Sequence, residues 1–166
     1  MKQIKKILVL FASVAIASMA QERELPLTDL PFDIKNEIIK QLTNSDSYDT
    51  AVQSIKNFRI TNKSLNQHIN SERVIQFIID KLAQRAMYEN KNEIKNISFD
   101  YYKIIAAVSL NTSGAREWLK KEIIKPHMQS AAKQVLHDLL TSSKTGDRAK
   151  VKILKNFMQL PAISEE

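Results

Sequence analysis

The side chains able to do chemistry are few and scattered. Three histidines occur, His68, His127 and His137. Two ligands for one metal ion on a helix stand three or four residues apart. His127 and His137 are too far apart for that, and no acid completes a set. Asp33 and Glu37, one turn apart, have the spacing of an acid–base pair. Carboxylates in the first turns of a helix ordinarily answer the helix dipole instead. Serines are common, but there is no Gly-x-Ser-x-Gly elbow and no Cys nucleophile. Thr145-Gly146-Asp147 is a lone glycine turn, not a phosphate loop. Trp118, Tyr101 and Tyr102 sit at helical spacing beside Ile104, Ile105 and Leu119, which marks them as core or half-core residues. Lys120-Lys121 and Lys150-Lys152-Lys155 read as solvated helix faces, with an anionic partner such as a membrane surface as the alternative. No catalytic residue, cofactor or metal site is expected, so the chain reads as a non-enzyme.

The elements behind these residues are helices. The chain has only two glycines, four prolines and no Cys, so packing alone must hold it. Apolar residues recur at helical spacing and nowhere alternate as in a strand, which gives an all-α class. Residues 1–20 have the form of a secretory signal peptide. Lys2, Lys5 and Lys6 precede the apolar run Ile7 to Ile16, and Ser18-Met19-Ala20 supplies small residues for cleavage. That run is short for a membrane span, although an uncleaved anchor is the alternative. Residues 21–28 form a polar lead. Without the three leader lysines the formal charge falls from +7 to +4, and the positive residues are dispersed, which argues against nucleic acid.

The periodicity predicts a helix from Pro31 to about Thr43. Its apolar stripe is Ile34, Ile38 and Leu42, widened by Ile39. Short helices follow over 48–57 and 62–69. Asn70 and Ser71 are expected to cap a helix over 71–88, the expected central packing element. After a charged linker over 88–96, helices are predicted over 99–110, 115–125 and 126–140, with Ser98 and the turn at 111–114 as caps. Ile124 and Leu140 are placed on inward faces. A last helix begins at Asp147 and closes at Pro161. The division is therefore residues 29–70, three short helices, and 71–166, a helical bundle.

Leu30-Pro31, Ile34, Glu37-Ile38 and Leu42, followed by Phe58-Arg59-Ile60-Thr61-Asn62-Lys63-Ser64-Leu65 and Ile69, resemble an F-box. Lys63 takes the place of the motif's basic residue. Leu65 stands where Trp or Phe is usual, Thr61-Asn62 replaces the commoner Val-Cys, and the connector 43–50 is longer. The resemblance implies a three-helix module that docks on a Skp1-like adaptor of a cullin-type ubiquitin ligase. Leu30, Pro31, Ile34, Ile38, Leu42, Phe58, Ile60 and Leu65 would form the contact, and the downstream helices would hold a target. With the leader, this describes an exported bacterial effector, periplasmic or secreted, whose only membrane segment is the signal. A Sec-type signal delivers to the periplasm, whereas such an adaptor is cytosolic, so a second export step would be needed. The alternative is a periplasmic α-helical binding protein with no ubiquitin link. The two differ in whether the apolar residues of 29–70 fill the protein's own core or form an open face.

Overall fold

The computed structural model describes residues 31–60, 63–90, 97–142, 144 and 146–158. The leader, the polar lead, Leu30, most of the expected linker and Pro161 lie outside them, as does the side chain of Ile60. Among the described residues there are eight helices and no strand. They are α1 (Phe32–Thr43), α2 (Tyr48–Ile60), α3 (Lys63–Ile69), α4 (Glu72–Asn90), α5 (Phe99–Leu110), α6 (Ser113–Glu122), α7 (Pro126–Thr141) and α8 (Asp147–Met158). The protein is all-α. No described helix is long and apolar enough to cross a membrane.

Local chemistry sets the helix starts. Pro31 stands just before α1, and its carbonyl accepts the Lys35 N–H at 3.1 Å. Ser98 accepts the Tyr101 N–H at 3.3 Å, and Thr112 accepts the Ala115 N–H at 3.1 Å. Each satisfies a donor that the first turn leaves free. Asn111 ends α5 in the left-handed region at φ 49°, a conformation that short polar side chains tolerate. Pro126 opens α7 without a side-chain cap, since its missing N–H removes one orphan donor outright.

The centre is shared by α4 and α5, each of which packs on five other helices. In α5, Tyr101, Tyr102, Ile104, Ala106, Ala107, Val108, Ser109 and Leu110 are all buried. The helix packs on α2, α4, α6, α7 and α8. A helix that is apolar nearly all round is driven inside, whereas α4 keeps a polar flank and leaves Met87 and Tyr88 exposed. Two expectations fail. Ile124 is 61% and Leu140 55% exposed. α6 stops at Glu122, before Ile124 can turn inward, and Leu140 lies beside the buried Leu139 on the side of α7 that faces away from Val135 and Leu139.

One hydrophobic core runs through both halves of the chain. It includes Ile39 of α1, Ala51, Val52 and Ile55 of α2, and Ile69 of α3. It continues through α4 to α7 and reaches Leu154 of α8. Polar contacts pin the first three helices onto the rest. The Glu89 carboxylate accepts the Tyr48 N–H at 2.9 and 3.2 Å, Arg85 donates to Glu89 at 2.7 Å, and Arg85 also bonds the Asp46 carbonyl. The corner between α1 and α2 is thus clamped to the C-terminal end of α4.

A second joint forms at the α3–α4 corner. Asn70 and Ser71 do not cap α4 as expected. The Ser71 hydroxyl donates back to the His68 carbonyl at 2.8 Å. The Asn70 amide donates to the Asn66 carbonyl at 2.7 Å, while its oxygen accepts the Gly114 N–H at 2.7 Å. Asn70 therefore closes α3 and caps α6, joining segments far apart in sequence. Gly114 is required by this approach. A Cβ there would stand 2.8 Å from the Asn70 Cα and 2.9 Å from its carbonyl oxygen.

Candidate interaction surface

The inner face of α1 differs from the stripe that periodicity suggested. Ile39 is 1% exposed and Thr43 2%. Thr43 can be buried because its hydroxyl donates to the Lys40 carbonyl at 2.9 Å, which satisfies the polar group within its own helix. Ile34, Ile38 and Leu42 form the neighbouring flank. Their burial is graded along the helix: Ile34 is 49% exposed, Ile38 is half-buried, and Leu42 is half-buried against the core. Phe32, at the helix start, is 62% exposed. The N-terminal end of α1 thus overhangs the core and shows apolar side chains to solvent.

His68 props up this overhang. Its Nε2 lies 3.0 Å from the Asn36 side-chain oxygen, and its ring meets Phe32 edge-on with centroids 5.0 Å apart. Burial, reinforced by the Lys35 charge, holds the His68 imidazole below its ordinary value, so the ring is neutral at pH 7. On the outer side, Glu37 accepts from Gln41 at 2.9 Å and from Lys40 at 3.5 Å. The Gln41 bond and then the Lys40 charge hold its carboxyl below the usual range.

The residues that the F-box resemblance assigns to a contact are not equally accessible. Pro31 and Ile34 are exposed and Ile38 is half-buried. Leu42 and Phe58 are half-buried against the core, and Leu65 is fully buried. Leu30 and the Ile60 side chain lie outside the described residues. The structure therefore brings Pro31, Ile34 and Ile38 together on the outside of α1, while Leu65 braces the module from within. Phe32 and His68 were missed as members of this surface. Phe32 directly follows Pro31 and so starts the helix; its aromatic side chain was the available signal.

The remaining polar side chains form structural ties. Trp118, 6% exposed, donates its indole N–H to Gln76. The Gln76 amide donates to Asp80 at 2.9 Å. Lys103 lies 3.7 Å from Asp80 and 3.8 Å from Asp100, and exposed His127 approaches Asp100 at 4.0 Å. This chain links α4, α5, α6 and α7 and answers each carboxylate with a donor or cation. Tyr101 donates to Asp138 at 2.9 Å; burial and that carboxylate push its phenol far up, so it remains a donor. Tyr101, Tyr102 and Trp118 are core residues, as their spacing implied. Asp33 is exposed, and no described group of three or more His, Cys, Asp or Glu side chains could hold a metal. A cleft of about 180 Å³ lies beside the α3–α4 corner, with Ile75, Gly114 and Trp118 in its lining and the Glu72–Lys121 pair (2.8 Å) at its edge.

No family model matches the chain, and no curated protein or solved structure matches it.

Proposed function

We propose that the protein is a non-enzymatic helical module that binds another protein through the outer flank of α1. The observation that carries this reading is the exposure of Phe32 and Ile34 at the end of a helix whose other side is sealed into the core. Apolar side chains held rigidly and left in water are suited to contact a partner. The F-box-like pattern suggests its specific form, an exported effector docking on a Skp1-type adaptor. Pro31, Ile34 and Ile38 would make the contact, with Leu42, Phe58 and Leu65 fixing the helix behind them.

The continuous core favours a second reading. Leu65 and Ile69 are fully buried, so ordinary packing of three helices on α4 and α5 accounts for much of the pattern. On that reading the protein is a periplasmic binding protein without a ubiquitin link, using the same α1 flank. Titration with a purified Skp1-type adaptor separates the two. The first reading expects saturable binding, weakened about tenfold or more by Ile34→Asp. Absence of binding at high micromolar concentration removes the ligase version.

A further inference from the structure

Several exposed lysines of this fold are answered by an acid one turn earlier. Lys40 pairs with Glu37 at 3.5 Å, Lys120 with Glu117 at 2.8 Å and Lys125 with Glu122 at 2.8 Å. Lys121 reaches across to Glu72 at 2.8 Å. α8 breaks this pattern. Arg148, Lys152 and Lys155 are all exposed, and among the described residues none of them makes an ion pair or a side-chain hydrogen bond. Three positions before Lys152 stands Ala149, and three before Lys155 stands Lys152.

Helix geometry gathers these charges. Arg148, Lys152 and Lys155 stand at i, i+4 and i+7, so they share one face of α8 over about 10 Å. Leu154, fully buried, marks the inward side. Val151 and Met158, on the flank adjoining the row, are half-buried against the core. α8 packs along α7, and neither described helix exposes a carboxylate. From Pro126 to Met158 the acids are Asp138 and Asp147. Asp138 accepts from Tyr101 at 2.9 Å. Asp147 is 7% exposed, accepts from the Ser142 hydroxyl and pairs with Lys150 at 3.0 Å. The same stretch exposes Lys133 on α7 and Lys144 just before α8. Like charges one turn apart weaken a helix slightly, a cost that an external anionic surface would offset.

We propose that the outward face of α8 docks on an anionic phospholipid bilayer. Charge complementarity selects the partner: a row of unpaired cations with no exposed carboxylate beside it fits a surface of fixed negative charge. Two of the three are lysines, which act as point charges and not as planar forks. The described side chains of α7 and α8 include no exposed Phe, Tyr or Trp on which a nucleic-acid base could stack. Leu140, 55% exposed near the end of α7, and the Val151–Met158 flank give the charges the apolar margin of a helix that lies on a membrane. The surface is separate from the α1 flank and does not depend on its role.

The test is sedimentation of the full chain with vesicles of phosphatidylcholine alone and of equal parts phosphatidylcholine and phosphatidylglycerol. Preferential capture by the anionic vesicles is expected, and it should fade in about 1 M salt, where the Debye length falls to about 3 Å. Arg148→Gln, Lys152→Gln and Lys155→Gln together should lower anionic partitioning about tenfold or more, since each cation near such a surface contributes about fivefold. Lys40→Gln, Lys120→Gln and Lys125→Gln together remove the same charge from exposed lysines that already have acids, and should lose far less. The apolar leader is common to all variants, and capture by phosphatidylcholine alone measures its share. Should the α8 variant melt well below the parent, Lys152→Gln alone, at the middle of the row, should still lower partitioning about fivefold. Equal loss in the two triple variants would reduce the effect to net charge and overturn the site. Equal capture of the parent and the α8 variants, or capture of a homopolymeric RNA without capture of the anionic vesicles, would overturn it as well.

Discussion

Gly114→Ala separates two opposed expectations by sign. In an ordinary helix the change stabilises, by up to about 1 kcal/mol, because Ala loses less conformational freedom than Gly. Here the added Cβ would meet the Asn70 Cα at 2.8 Å and the Asn70 carbonyl oxygen at 2.9 Å. Both are backbone atoms, so no side chain can swing away. The start of α6 must withdraw from the α3–α4 corner, and overpacking of this kind costs about 1–3 kcal/mol. Withdrawal also stretches the Gly114 N–H bond to Asn70, worth about 1 kcal/mol. Against the helix gain, the net expectation is a loss of about 1–3 kcal/mol, or a melting temperature lower by about 3–10 °C for a chain of this size. The assay is thermal melting followed by circular dichroism, with Gly146→Ala as comparator because a Cβ there meets nothing within 4 Å. A Gly114→Ala protein as stable as the parent, or more so, would refute the close approach and with it the joint between the two halves.

Ile39→Ala should cost about 2–5 kcal/mol, as for other fully buried aliphatic residues, whereas Ile34→Ala should stay within about 0.5 kcal/mol of the parent. Denaturant melts compare them, and similar losses would mean that α1 is turned differently. His68 gives a pH signature. Its folded value is lowered by burial and by Lys35, so below the unfolded value near 6.5 the unfolded chain binds the proton more readily. This contribution to stability is complete above about 6.5, declines as pH falls and levels off below the folded value. Melts across about pH 5 to 8 should show a slope that His68→Gln removes, and an unchanged slope would refute the assignment. At Asp147 burial opposes ionisation, but the Ser142 hydroxyl and the Lys150 ammonium outweigh it and hold the carboxyl below its usual value. Its contribution is present above the unfolded value and is lost as pH falls through the folded one, a loss that Asp147→Asn should abolish in acid melts.

The helices were legible because their punctuation is chemical. Ser98, Thr112 and Pro126 mark starts that capping and proline geometry dictate, and the span of α5 was read to the residue. Which flank of a helix turns inward was less legible. Ile38 and Ile39 are adjacent and both apolar, so periodicity allowed either stripe. The deciding partner was Thr43, a polar residue made buriable by its own backbone bond. The central role of α4 was readable from its regular rhythm, while the equal share of α5 lay in its nearly unbroken apolar run. Asn70 and Gly114 could not be paired from sequence, since their bond spans 44 positions.

The outer flank of α1 is proposed as a docking surface, while Ile39, Ile55, Leu65 and Ile69 are buried. Amide hydrogen exchange of the full chain, with and without a purified Skp1-type adaptor, addresses it directly. New protection should appear over residues 32–42 on adding the adaptor, and the already buried α5 should be unchanged. Protection confined to α4 through α8, or none over 32–42 at a saturating adaptor concentration, would contradict the claim in its adaptor-binding form.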